Sequence, residues 1–322
     1  MEALTLKDRK IIYELDFDAR MSLTQLGKKV GLSKQAVKYR LENLEKRKII
    51  QGFYADINAS KAGFSIYLVY LKFHQIPSEK EKELIAHIGR QKYIGVNATI
   101  QGKWDYCIGI LAESIIHFKN YYNEIMKDYE KYVKNKIIMI VTDFYYFKPK
   151  QILEKDDNEQ ITMTGELMHP DFDEKDKEIL TFLAKDARMS LVDMSKKIDL
   201  TANAIKERIK NLEKNGVIAA YRVMINYSLL GFLHYRIFLH LDFLTRDLEK
   251  KIISFLKNQK PVISVTKTIG YCDLEFRAIV KDIHEFYVLI ENLRNQFPEM
   301  IKDYESILYY KFHQNLNYFP FD

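Results

Sequence analysis

The chain is written twice, and that limits what it can become more than any other feature. The hexapeptide DARMSL stands at Asp18–Leu23 and returns unchanged at Asp186–Leu191. Without insertion, the offset that carries Asp18 onto Asp186 also carries Gly63 onto Gly231, Gly102 onto Gly270 and Asp105 onto Asp273. It likewise carries GLSKQAVKYRLENLEKRKII, beginning at Gly31, onto DLTANAIKERIKNLEKNGVI, beginning at Asp199. A constant period makes each half the same structural unit, so the fold is two like units and a join. The join is Lys148–Asp171, whose charge, Gly and Pro read as a linker.

In the first half, Leu6, Ile11, Ile12 and Leu15 share one stripe of a helix over Thr5–Leu15. A second helix, Leu23–Val30, ends at Gly31, a residue suited to a left-handed cap. A third, from Ser33 to about Arg47, sets Val37, Leu41 and Leu44 on one face and Lys34, Gln35, Lys38 and Tyr39 on the other. Ile205, Ile209 and Leu212 repeat the apolar face. Two short helices, a tight turn and a longer polar-faced helix make a helix-turn-helix, and the loosely alternating Ile49–Ile57 reads as its wing.

After Gly63 the texture changes. Ser65–Phe73, Tyr93–Gln101, Tyr106–Leu111 and Lys136–Phe147 read as strands, and Pro77–Gly89 and Ser114–Lys131 as helices. The second half repeats this βαββαβ order over Tyr235–Phe243, Asp247–Asn258, Val262–Ile269, Leu274–Val280, Asp282–Gln296 and Asp303–His313. The expected class is therefore α+β, with two copies of a winged helix-turn-helix domain followed by a ferredoxin-like βαββαβ domain. The expected bounds are 1–58 and 63–148, a linker over 149–171, then 172–226 and 231–322.

Major-groove reading needs a helix that carries donors and acceptors matched to base edges and phosphates. In the first copy Gln35 suits adenine, Lys38 suits guanine or phosphate, and Tyr39 suits a phosphate or thymine methyl. Ser33 and Lys34 stand at the helix start, where phosphate is favoured. The second copy offers Thr201, Ala202, Asn203, Lys206 and Glu207. Glu207 opposes phosphate, although it could accept from a cytosine amino group. Arg40 and Arg208 fit two roles equally, a DNA contact or a partner for acids on a neighbouring helix. The net charge is +6, and residues 1–58 carry +4 against +1 for 169–226, so the stronger polyanion contact is expected in the first copy.

Other chemistry is sparse. Cys107 and Cys272 make neither a disulfide framework nor a metal cluster. His74, His87, His117, His234, His240 and His313 show no metal-ligand spacing, and the many Tyr and Phe read as packing. The N-terminus lacks a signal-peptide pattern and no window approaches 18 apolar residues, so a cytoplasmic protein without a membrane partner is expected. The turns Gly102–Asp105 and Gly270–Asp273 have two readings: positive φ with an aspartate cap, or a ligand cleft using the carboxylate against an ammonium group.

With both modules located, the chain resembles the Lrp/AsnC (feast/famine) family of transcriptional regulators. The resemblance rests on Leu6–Ile50, on DEKDKEILTFLAKDARMSLVDMSKKIDLTANAIKERIKNLEKNGVI, and on the turns Gly102-Lys-Trp-Asp105 and Gly270-Tyr-Cys-Asp273. It implies double-stranded DNA as partner, a dimerising C-terminal domain and an amino-acid effector between subunits near Gly102, Asp105, Gly270 and Asp273. Two copies in one chain imply an intrachain pseudo-dimer, with further homo-oligomers open. The expectation is a sequence-specific regulator that is not an enzyme, with no cofactor, metal or catalytic residue. The alternatives are a siroheme decarboxylase-like enzyme on this scaffold and a DNA-independent amino-acid-sensing assembly protein.

Overall fold

The computed structural model describes residues 4–164, 166–168, 171–243 and 245–313. The 314–322 end of the domain expected over 231–322 lies outside them, as do positions 1–3, 165, 169, 170 and 244.

Each half opens with three helices. They are α1 (Leu6–Leu15), α2 (Leu23–Val30) and α3 (Lys34–Lys46), followed by strand β1 (Ile50–Ile57). The sequence starts each helix with a side-chain acceptor. Thr5 with Asp8 and Ser22 with Gln25 form capping boxes. Ser33 accepts from the Ala36 amide at 3.2 Å. The first barrel module is β2 (Ser65–Phe73), α4 (Ser78–Gly89), β3 (Ile94–Gly102), β4 (Tyr106–Ala112), α5 (Ile115–Met126) and β5 (Val133–Phe147). The helix expected through Lys131 ends at Met126, and a short 3-10 turn, Glu130–Tyr132, leads into β5.

The segment expected to be a linker, 149–171, carries structure of its own. It carries a helical turn α6 (Lys150–Leu153) and a strand β6 (Gln160–Met163) that pairs with the end of β5. Ile152 is buried in the core shared by the helical heads, and that burial ties the segment down. The second half continues with α7 (Glu174–Lys185), α8 (Leu191–Ser195), α9 (Ala202–Lys214) and β7 (Ile218–Ile225). It ends with β8 (Leu233–Leu241), α10 (Arg246–Asn258), β9 (Val262–Ile269), β10 (Leu274–Val280), α11 (Ile283–Gln296) and β11 (Ile301–Phe312).

The two halves pair through strands. β1 and β7 run antiparallel with Tyr54 opposite Arg222, two positions that the repeat makes equivalent, so a pseudo-two-fold axis passes between them. The four strands of the first module lie in the order β5-β2-β4-β3 and those of the second in the order β11-β8-β10-β9. β3 pairs with β11 and β5 with β9, so two open sheets become one closed, barrel-like sheet of eight strands with β6 appended. Closure removes the free edges that each sheet alone would expose.

The core follows from this closure. One cluster, including Leu84, Ile88, Phe118 and Ile125, lies between the first module's sheet and its helices, and another, including Leu248, Ile252 and Leu289, does the same in the second. A third cluster draws Leu68, Tyr70, Cys107 and Met139 together with Phe238, Cys272 and Ile307, joining the two halves. The winged heads share a single core across the pseudo-dyad, from Ile11 and Leu44 to Ile179 and Leu212.

Candidate nucleic-acid interface

The outward face of α3 carries the residues expected of a reading helix. Ser33, Lys34, Gln35, Lys38 and Tyr39 are all exposed, and Tyr39 is 71% accessible, a large exposure for an aromatic ring with no packing duty. Lys38 lies 3.7 Å from Glu42 one turn on, a weak exposed pair that leaves it free to turn to a phosphate. On α9, Thr201, Asn203, Lys206 and Glu207 are likewise exposed, with Thr201 capping the helix. Lys210, 2.8 Å from Glu207, holds that carboxyl below its ordinary value.

Arg40 and Arg208 resolve to one role. Arg40 binds Asp8 at 2.9 Å and Thr5 at 3.0 Å, fixing α3 against the start of α1. Arg208 repeats this with Asp176 at 2.9 Å and Asp173 at 2.8 Å on α7. Burial raises the Asp8 carboxyl, but hydrogen bonds from Thr5 and Arg40 outweigh it and leave the group below its usual range. Each arginine thus fixes its own helix, α3 or α9, against the first helix of the same head.

The heads are locked by contacts that sequence reasoning left unassigned. Arg188 donates to the Ala19 carbonyl at 2.8 Å, and Arg20 reciprocates to the Ala187 carbonyl. The amides of Ala19 and Ala187 donate to the carbonyls of Tyr221 and Phe53, each at 2.9 Å. The identical DARMSL segments are therefore the reciprocal clamp across the pseudo-dyad, and their identity was the signal. At the axis itself symmetry breaks. Arg222 makes a bidentate pair with Asp16 (3.0 and 3.1 Å) and lies 4.4 Å over the Tyr146 ring, while the first copy has Tyr54 in its place.

The glycine–aspartate turns meet at another crossing of the pseudo-dyad, where Lys103 donates to the Tyr271 hydroxyl at 2.6 Å and to Glu305 at 2.8 Å. Gly102 and Gly270 have φ of +138° and +129°, and a Cβ on either would meet the Ser306 or Ile138 carbonyl oxygen at 3.1 or 2.8 Å. Asp105 accepts from the Phe73 amide at 2.9 Å and pairs with Lys72 at 2.6 Å; Asp273 accepts from the Leu241 amide at 2.8 Å. All four residues are thus engaged in holding the turns. Trp104 and Cys272 fill the space between the halves, and burial pushes the Cys107 and Cys272 thiols up to about 11 and about 12, so both stay protonated. Among the described residues, no group of three or more His, Cys, Asp or Glu could hold a metal ion, and no helix is long and apolar enough to cross a membrane.

Paired winged heads over a closed, barrel-like sheet define the class, a tandem helix-turn-helix protein. The AsnC-type helix-turn-helix domain pattern matches residues 4–45, and a winged helix-turn-helix DNA-binding pattern matches 172–219. An uncharacterized HTH-type transcriptional regulator of Pyrococcus furiosus is 34% identical over 129 residues, 40% of this chain and 83% of its own length. The HTH-type transcriptional regulator Ptr1 of Methanocaldococcus jannaschii is 32% identical over 107 residues, 33% of this chain and 71% of its own. The chain belongs to the Lrp/AsnC family of helix-turn-helix transcriptional regulators.

Among solved structures, the siroheme decarboxylase NirDL covers 97% of this chain and 94% of its own with a TM-score of 0.63, at 12% identity. That likeness is one of fold, and it extends through both copies. It corrects the expectation that this is not an enzyme, because the same whole-chain arrangement is found in one. The expectation had rested on missing motifs, and a scaffold shared with an enzyme removes the ground for it.

Proposed function

We propose that the chain is a sequence-preferring, DNA-binding transcriptional regulator that offers two unequal winged heads to two half-sites of one duplex. The observation that carries this reading is the exposed polar face of α3, its tilt set by Arg40 and its position set by the DARMSL clamp to a second head of the same build. Rigid placement of two reading helices is what half-site recognition needs. The working division is 1–58 and 172–226 as heads, 63–148 and 231–322 as ferredoxin-like modules, and 149–171 as the strap between them.

Fluorescence anisotropy with duplexes selected from a random pool tests this. Affinity should fall steeply with salt, and Lys38→Ala should reduce the log–log salt slope by about 1. Lys206→Ala should cost less, because Glu207 beside it weakens phosphate binding in the wild type. Equal, weak binding to every sequence at every salt concentration overturns the reading.

An amino-acid effector at the Gly102–Asp105 turn would have to displace Lys72 from Asp105. Thermal stabilisation by amino acids that is lost in Asp105→Asn would support that site. The enzyme reading keeps one favourable observation, the whole-length fold likeness to NirDL. Tight binding in a spectrophotometric titration with siroheme would place it first.

A further inference from the structure

A cavity of about 320 Å³ lies where the wing strand β1 meets the barrel-like sheet. It sits at the small end of the range of ligand pockets, roughly 300–1,000 Å³. Its walls come almost wholly from the first half, including Asp56, Ile66, Val96, Gly109 and Val141, while the second half adds Ala184 and two arginines, Arg236 and Arg277.

The copies differ here in a way that opens one site and closes the other. Ala59, Ile66, Val141 and Phe144 line the cavity. By the repeat register their counterparts are Tyr227, His234, Tyr309 and Phe312. Those rings pack together with centroids 5.5 Å apart for Tyr227–His234, 4.9 Å for His234–Tyr309 and 4.6 Å for Tyr309–Phe312. Ala59, Ile66 and Val141 leave space in the first half where rings stand in the second.

The arginines bring unspent hydrogen-bonding capacity to an apolar chamber. Arg236 is 5% exposed and pairs with Glu275 at 3.0 Å, yet its Nε has no hydrogen-bond partner among the described residues. Arg277 donates its Nε to Ser264 at 2.7 Å and lies 5.3 Å from the Tyr146 centroid. Among the described residues no carboxylate stands within ion-pair distance of it. Asp56, the acidic side chain of the wall, lies 3.7 Å from Arg222; burial pushes its carboxyl up, against the pull of Arg222 and Arg277. A guanidinium in a low-dielectric space with no carboxylate in direct contact keeps donors to spare, and a planar carboxylate is the group that matches its fork.

We propose that this cavity binds a small organic acid with an apolar body, its carboxylate held by Arg277 and the Nε–H of Arg236 and its body against Ile66 and Val141. The site is separate from the glycine–aspartate turns, and the inference stands without the DNA reading.

Isothermal titration of the full chain with isocaproate, isocaproamide and leucine tests it, with no DNA present, so failure here and failure of the DNA reading are distinguishable. Isocaproate should bind, and isocaproamide, of the same shape without the charge, should bind at least about tenfold more weakly. Val141→Tyr places the second half's ring in the space and should abolish binding. Arg277→Met should weaken it at least about tenfold with the thermal midpoint retained, and it decides the question if V141Y does not fold. Absence of isocaproate binding, equal binding of the amide, undiminished binding by V141Y or R277M, or tighter binding of leucine through Asp56 would each overturn the proposal.

Discussion

Arg222 occupies the pseudo-dyad where the other copy has tyrosine, and its partner Asp16 is fully buried. Removing the cation alone strands a carboxylate, whereas removing both charges does not. Arg222→Met should therefore cost about 3–5 kcal/mol, read from urea unfolding, and adding Asp16→Asn should restore much of that loss. A second single-residue effect is at Gly27, where a Cβ would stand 2.6 Å from the Leu32 carbonyl oxygen. Gly27→Ala should destabilise by about 1–3 kcal/mol through overpacking of the turn into α3, seen as a lower denaturation midpoint at unchanged m-value. Its counterpart is Ser195, where α8 ends, whereas α2 continues past Gly27 to Val30. His234 gives the pH effect. Among the described residues its buried Nε2 has no hydrogen-bond partner, and burial with the nearby Arg277 and Arg236 holds the ring well below its ordinary pKa. The unfolded chain then binds the proton more tightly. Stability is full above about pH 6.5 and falls below it by about 1.4 kcal/mol per pH unit until the folded group titrates. Thermal unfolding between pH 7 and 5 should show that loss, and His234→Phe should make it shallower.

At the scale of elements, what the sequence exposed was whatever depends on neighbours in the chain. The spacing of Val37, Leu41 and Leu44 and the caps at Thr5, Ser22 and Ser33 fix helices locally, so α1 to α3 fall where the pattern puts them. Strands β2 to β4 and β8 to β10 show in their β-branched and aromatic runs for the same reason. Partners across the dyad leave no such mark. That β1 would pair with β7, and β5 with β9 as well as β2, depends on residues distant in the chain, such as Tyr146 opposite Ser264. The structure within the strap is hard to see in the sequence because its charged composition masks Ile152 and Met163, which are buried. Of the candidate interface, the exposed polar faces of α3 and α9 were legible. The DARMSL clamp was visible only as an identity, and the cavity shows only when Ile66 is set against His234 and Val141 against Tyr309.

For the whole molecule, fusion has allowed the halves to become complementary and no longer interchangeable. The strand pairs that close the barrel could form between two identical halves, since β3–β11 and β5–β9 are related by the same axis. The charges could not. A pair of first halves would set Tyr54 against Tyr54 and leave two buried Asp16 carboxylates without the arginine that binds both oxygens here. A pair of second halves would set Arg222 against Arg222 at the axis, with no aspartate for either, because the counterpart of Asp16 is Ala184. Burying like or unpaired charges disfavours both homodimers relative to the mixed pair by several kcal/mol, so charge placement selects the partner. Severing the chain after Met168 leaves β6 with its partner β5, and the two pieces, purified with different tags and mixed, should assemble one to one. Light scattering with size exclusion should show the heterodimer dominating over either homodimer. Arg222→Tyr with Asp16→Ala, which makes these positions alike in the two pieces, should move the mixture toward a statistical distribution. A statistical distribution with the unaltered pieces would mean that strand pairing alone sets the assembly and that the buried Arg222–Asp16 pair selects nothing.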